Sequence, residues 1–218
     1  MLIKPFNRTL LPSLLLITST LFASEDNLIE QLQQKYQDIS HYQANFTQTK
    51  NVSYISKPLV TNGSLEFALG EGLIWQIIKP LWAKTLINDH GVYKTTKYQK
   101  KQKVNDLQIK IVAEIMTELL TANLNKIESH FEISAVTKSQ DQSKWTIQLF
   151  PKKIIMKKSI KQIDLIGESR LNDTGLLEHI DINQIQITDK SNNLTHIQLI
   201  DIKLFSGLLS PQVKARFE

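Results

Sequence analysis

The sequence predicts an α+β fold: a half-open, strongly curved antiparallel β-barrel with helices covering the concave face. Much of the chain after residue 39 alternates apolar and polar residues, which is typical of strands that bury one face. Two segments, residues 25–38 and 105–127, have the period of an amphipathic helix instead. A sheet of many twisted strands curls, and the helices are available to cover its inner side. An ordinary α+β domain with a solid core fits the same periodicity.

Residues 1–23 have the composition of a secretory signal peptide. Lys4 and Arg8 supply positive charge, the stretch 10–22 is mostly apolar, and Ala23 is a small residue suited to cleavage. The apolar stretch is shorter than the roughly 20 residues that a membrane-spanning helix needs. An uncleaved membrane anchor is the alternative. We therefore expect the first 23 residues to be removed on export and residues 24–218 to form a single domain in the periplasm.

The composition excludes several classes of function. The 218 residues include no cysteine, which excludes disulfide bonds, thiol catalysis, cysteine metal sites and a lipid-modified N-terminal cysteine. The histidines lack the spacing of a zinc site. No nucleophile elbow, phosphate loop or dinucleotide-binding glycine motif occurs. We expect no cofactor, no metal and no enzymatic activity. A hydrolase with a cryptic carboxylate pair is an alternative that no motif supports.

Lysine is concentrated in two places in a chain whose formal net charge is +5. One cluster lies at residues 97–103 and the other at residues 152–158. We expect the first cluster to form a solvated loop. A basic rim that makes transient contact with an anionic lipid surface is the alternative. Nucleic acid is not an expected partner, because the chain is predicted to be exported.

The first half of the chain is predicted to contain one helix and several strands. Leu28, Leu32 and Tyr36 recur at helical spacing in the segment 25–38. The following segments alternate with a period of two, and glycines mark a hairpin turn at residues 70–72. The strands predicted on this basis lie at residues 42–47, 64–69, 73–78, 81–88 and 92–95.

The second half begins with the other helical segment. Its apolar stripe between residues 111 and 124 is wide enough to pack on a sheet or to form a movable lid. The tail after Ser206 has no clear pattern. The strands predicted after the helical segment lie at residues 131–137, 145–150, 160–168, 176–189 and 194–204.

Three short motifs in the first strands resemble those of the LolA-type outer-membrane lipoprotein carrier family. They are Phe46-Thr47-Gln48, Gly63-Ser64-Leu65-Glu66-Phe67, and Trp75 followed by Pro80. A turn before an aromatic residue, at residues 88–93, is similar to the next family feature. The resemblance extends over the predicted mature chain in layout. One position departs from the pattern, because Leu69 stands where the best-known carriers have an arginine that latches the lid.

This resemblance implies a function and a set of partners. It implies a monomeric periplasmic carrier that shields the acyl chains of lipoproteins in a hydrophobic cavity. An inner-membrane transporter would be the donor and an outer-membrane protein the acceptor. Because Leu69 replaces the latching arginine, a glycolipid or another lipid-linked product is the alternative cargo. A lipid-sensing module without transfer activity is the alternative role.

The candidate lipid-binding residues are large apolar side chains on the predicted strands and on the second helical segment. A solid core would show the same residues. The distinguishing property is volume, because a packed core leaves voids scarcely larger than water, whereas a ligand cavity needs roughly 300 Å³ or more. The strand candidates are Phe46, Leu65, Phe67, Leu69, Trp75, Ile77, Trp145 and Ile147, and the helix candidates are Ile115, Met116, Leu119 and Leu120.

Overall fold

One antiparallel sheet of 11 strands dominates the structure. The computed structural model describes residues 25–104, 117–118, 124–140, 143–172 and 177–218. The strands are β1 Ile39–Asn51, β2 Leu59–Ala68, β3 Gly72–Lys79, β4 Ala83–Asn88, β5 Gly91–Thr96, β6 Gln99–Val104, β7 Phe131–Lys138, β8 Lys144–Pro151, β9 Ile160–Leu171, β10 Leu177–Asp189 and β11 Leu194–Ser206. The described helices are α1 Glu25–Tyr36, α2 Leu124–His130, α3 Ile154–Lys157 and α4 Pro211–Lys214.

The sheet is open, and the pairing of its first and last strands joins the two halves of the chain. The strand order is β6-β5-β4-β3-β2-β1-β11-β10-β9-β8-β7. Strand β1 pairs antiparallel with both β2 and β11, so the two meanders form one continuous sheet. Strands β6 and β7 are its free edges. The predicted fold class, an open antiparallel sheet with a few helices, is confirmed.

The main hydrophobic core lies on one side of this sheet, which we call the inner face. It is the side on which Tyr42, Ala44 and Phe46 of β1 are buried. Helix α1 packs on this face through three buried residues at helical spacing, Leu28, Leu32 and Tyr36, and α2 adds Ile127. The helices therefore cover the face that the apolar alternation of the strands creates.

A second, smaller core lies on the opposite side of the sheet, where the C-terminal segment packs. Val213 of α4 and Phe217 are buried there against Ile74 of β3 and Leu86 of β4. The segment is also held by charge, because Arg216 Nη1 lies 3.0 Å from the Glu66 carboxylate. The tail, which has no clear pattern in the sequence, thus covers an apolar patch on this opposite side of the sheet, which we call the outer face.

Most of the predicted elements are confirmed, with small shifts at their ends. The fourth predicted strand begins at Ala83 and not at Leu81. The prediction of a loop over the lysine cluster 97–103 is wrong, because only Lys97 and Tyr98 form a turn and β6 follows. Residues 99–103 are exposed, so this edge strand pairs with β5 without showing apolar alternation.

The second helical segment is described only in part. Thr117 and Glu118 are helical, and α2 covers residues 124–130. The remainder of the segment lies outside the described residues. Within the described part of the chain, no helix is long and apolar enough to cross a membrane.

Candidate functional site

The inner face is built by three neighbouring strands whose apolar side chains meet in register. Leu65 of β2 pairs with Ala44 of β1 on one side and with Trp75 of β3 on the other. The rings of Phe46 and Trp75 have centroids 4.1 Å apart at an interplanar angle of 31°. Gly63 lies opposite Phe46 and leaves space for its ring. The three sequence motifs therefore form one aromatic and aliphatic surface.

The structure brings most of the strand candidates together in the main core. Trp75 and Ile77 are half-buried and pack against the fully buried members of the core. Because the other side chains are almost inaccessible to solvent, a ligand reaches them only when the covering elements move. The fully buried candidates are Phe46, Leu65, Phe67, Trp145 and Ile147.

Leu69 does not belong to this group. It lies in the turn after the end of β2, and 61% of its surface is exposed. The alternation Leu65, Phe67, Leu69 places all three on one side of a strand, but the strand ends at Ala68. Its assignment to the inner face is therefore corrected. The helix candidates Ile115, Met116, Leu119 and Leu120 lie outside the described residues.

Several inner-face residues were not among the candidates. Strands β9 to β11 also contribute buried apolar residues to the main core. The period of two in the second meander contained the signal that could have identified them. Buried residues of this kind include Ile163, Leu165, Ile182, Ile185, Ile197 and Leu199.

Two polar atoms on the inner face are buried without a hydrogen-bond partner among the described residues. They are the Tyr42 hydroxyl and the Trp145 indole nitrogen. Burial raises the pKa of Tyr42 above its usual range, with smaller contributions from Tyr36 and Asp181, so the phenol stays neutral. An unpaired buried donor costs about 1–3 kcal/mol. Both groups are therefore available to donate a hydrogen bond to an oxygen atom of a bound molecule.

The C-terminal end of α1 is tied to β10. The Lys35 ammonium donates to the Asp181 carboxylate and to the Ile180 carbonyl. His179 lies beside the same carboxylate. Tyr36 lies next to this ion pair. Its burial, and to a smaller extent the charge of Asp181, raises the pKa of Tyr36 above its usual range. One lysine thus anchors the helix that covers the inner face.

The described residues offer no obvious metal centre. No group of three histidine, aspartate or glutamate side chains in that part of the chain is placed to hold a metal ion. The buried Glu118 carboxylate lies 3.0 Å from His130 Nδ1, which pairs a polar side chain beside the core. The arrangement on the inner face suits an apolar ligand with a few oxygen atoms better than a metal or a phosphate.

Comparison with solved structures places this architecture among known folds. A DUF1329 family protein from Desulfovibrio piger is similar with a TM-score of 0.50 and 9% identity, over 88% of this chain and 95% of that one. The open antiparallel sheet with helices on its inner face is the architecture that the sequence resemblance implies. The chain therefore shares its overall fold with the Desulfovibrio piger protein.

Two further similar structures have names that refer to the LolA superfamily or to lipoprotein sorting. A LolA superfamily protein from Nitrosomonas europaea is similar with a TM-score of 0.47 and 12% identity, over 86% of this chain and 96% of that one. A putative outer membrane lipoprotein-sorting protein domain from Vibrio parahaemolyticus has a TM-score of 0.46 and 8% identity, over 86% and 95%. No protein-family model and no curated protein sequence matches the chain. At identities this low, these two similarities say nothing about the function of this chain.

Proposed function

We propose that this LolA-like protein is an exported carrier that shields acyl chains on the inner face of its sheet during passage through the periplasm. The observation that carries the proposal is the apolar inner face, which is covered by helices. It contains the donors Tyr42 and Trp145, which have no hydrogen-bond partner among the described residues. The cargo is an acylated lipoprotein or a related lipid. The proposal includes removal of residues 1–23 and an inner-membrane donor and outer-membrane acceptor for the cargo.

Loading follows from the burial of the inner face. Leu28 and Leu32 of α1 pack on it in this structure. An acyl chain that displaces them replaces apolar contacts with apolar contacts, and each buried CH₂ contributes about 0.8 kcal/mol. The covered and loaded states therefore differ little in free energy, which allows cargo to shift the population toward the loaded state. The donors of Tyr42 and Trp145 can bond ester or amide oxygens at the chain's attachment point.

The first test is the identity of what the protein carries. Protein purified from periplasm without detergent is extracted with organic solvent, and the extract and the intact protein are analysed by mass spectrometry. We expect one acylated species in stoichiometric amount, whose head group distinguishes lipoprotein from glycolipid. Protein that is free of lipid and takes up none when lipid is offered would contradict the proposal. Bound lipid that is never passed to outer-membrane acceptors would indicate a lipid sensor.

Replacing Lys35 with methionine tests the role of the helix anchor. We expect faster uptake of a fluorescent fatty acid, by a few-fold, and a loss of about 1–2 kcal/mol in the free energy of unfolding. The reason is that the variant removes the ammonium that holds α1 to Asp181. Gln34→Met is the matched control, because Gln34 precedes Lys35 on the same helix and is exposed. Equal uptake rates in both variants would show that α1 does not limit entry.

A further inference from the structure

The described strand connections at one end of the sheet share an unusual composition. We call these five connections the lysine rim: residues 52–58, 80–82, 97–98, 152–159 and 190–193. The antiparallel pairing places them all at the same end, since β1, β3, β5, β8 and β10 each finish there. Their residues include seven lysines and neither aspartate nor glutamate.

The connections of the lysine rim are neighbours along the sheet. The Ser53 amide donates to the Asn193 side chain at 3.0 Å, and the Lys190 amide donates to the Ser159 carbonyl at 3.2 Å. Nearer the β6 edge of the sheet, at the same end, a pocket of about 610 Å³ is lined by both the β3–β4 and the β5–β6 connections. The rim therefore consists of two groups of neighbouring connections and not of five separate loops.

Large apolar side chains project from the same connections. The exposed fractions are 85% for Tyr54, 71% for Leu81, 80% for Tyr98 and 76% for Ile154. Each lies in a different connection, and all four have a lysine within three residues in sequence. Exposing apolar groups of this size to water is unfavourable, and here they project at the same end of the sheet as the lysines.

We propose that the lysine rim docks the protein on an anionic lipid bilayer. Lysines attract the phosphate groups of anionic lipids, and each one near the surface strengthens binding roughly five-fold. Aromatic and aliphatic side chains between the lysines enter the boundary between head groups and acyl chains. The rim residues include no carboxylate, and the Asp189 carboxylate next to them accepts hydrogen bonds from Ser191 and Asn193.

A bilayer matches the distribution of these groups better than an acidic protein does. The apolar residues and the lysines are spread over connections from β5–β6 to β8–β9, across most of the width of the sheet. A peptide ligand needs one continuous groove, whereas a lipid surface contacts every projecting side chain along a rim. At the opposite end, Glu71 and Asp89 in the turns carry the other sign of charge.

Flotation with phosphatidylglycerol vesicles tests the proposal, with phosphatidylcholine vesicles as the neutral comparison. We expect the purified protein to float with the anionic vesicles at low salt and to lose this binding at high salt, because the attraction is screened. A charge variant and its matched control each remove four lysines. The charge variant is Lys152→Gln, Lys153→Gln, Lys157→Gln and Lys158→Gln, and its control at other positions is Lys138→Gln, Lys144→Gln, Lys203→Gln and Lys214→Gln.

The charge variant is expected to bind anionic vesicles at least ten-fold more weakly than the unmodified protein. The control variant is expected to bind them with an affinity within about two-fold of that of the unmodified protein. A second variant with Tyr54→Ser, Leu81→Ser and Ile154→Ser tests the apolar contribution and should also bind more weakly, while Leu69→Ser should not. Circular dichroism confirms that each variant is folded.

An equal loss of vesicle binding in the charge variant and in the control variant would overturn the proposal, since net charge alone would then explain binding. Retention on immobilised polyglutamate without binding to anionic vesicles would also overturn it and would assign the rim to an acidic protein partner. Uptake of a fluorescent fatty acid in solution is measured in parallel. It is expected to be unchanged in the rim variants, so failure of the carrier proposal is distinguished from failure of membrane docking.

Discussion

Replacing Trp75 with glutamate is expected to lower the affinity for acyl chains by roughly ten-fold or more while the protein stays folded. Trp75 lies on β3 between Leu65 and Thr85, and its ring stacks at a tilt on Phe46. A carboxylate here replaces an apolar contact with a charge that a bound acyl chain would desolvate. Because Trp75 is half-buried, the carboxylate can stay hydrated in the unloaded protein. Titration with a fluorescent fatty acid measures the effect.

Two other substitutions make the Trp75 result interpretable. Phe67→Glu should also abolish binding, but Phe67 is fully buried, so loss of stability would accompany loss of binding. Leu69→Glu is the control, because this side chain lies outside the inner face and should leave uptake unchanged. A folded Trp75→Glu protein with normal affinity would show that acyl chains do not bind on this face.

Strands β1 to β5 could be predicted because their apolar residues alternate with polar ones. Leu65 and Phe67 on β2 alternate with polar residues, and that alternation is what burial on one side requires. Strand β6 could not be predicted in this way, because residues 99–103 are exposed and none of them is apolar, so the strand pairs with β5 without burying an apolar face. The error at Leu69 has a related cause, since alternation continued for one residue beyond the end of the strand.

The meeting of distant parts of the candidate site could not be predicted from periodicity. Trp145 lies on β8 and Phe46 on β1, and they share one core because β1 pairs with β11. That pairing depends on which strands meet over a long separation in sequence, and alternation does not contain this information. The same holds for Phe217, whose place on the outer face depends on the patch formed by Ile74 and Leu86.

The hydrogen bonds and ion pairs of the site also could not be predicted from the sequence. A tyrosine on a strand is predicted to face the core or the solvent, but whether its hydroxyl finds a partner depends on every neighbouring element. Among the described residues, the Tyr42 hydroxyl and the Trp145 indole nitrogen find no partner, although both residues lie in the main core. The anchor of α1 similarly requires Asp181 on β10 to lie beside Lys35.

Substituting Gly63 with alanine is expected to cost about 3 kcal/mol or more in the free energy of unfolding. A Cβ atom at this position would lie 2.0 Å from the Gln76 carbonyl oxygen and 2.6 Å from Cζ of Phe46. The first of these atoms belongs to the backbone of β3, so a change of side-chain rotamer does not relieve the clash. The glycine that begins the Gly63-Ser64-Leu65-Glu66-Phe67 motif is therefore needed for close approach, not for flexibility.

Urea unfolding measures this effect, and Gly70→Ala provides the comparison. Gly70 has a φ of +79°, and no atom lies within 4 Å of the position that a Cβ would occupy, so alanine there meets backbone strain without a clash. That strain costs about 1–2 kcal/mol, less than the effect expected at Gly63. Equal losses at the two positions would mean that Gly63 does not approach β3 and the Phe46 ring as closely as the structure shows. A larger loss at Gly63 would support this close approach of β2 to its neighbours, on which the inner face depends.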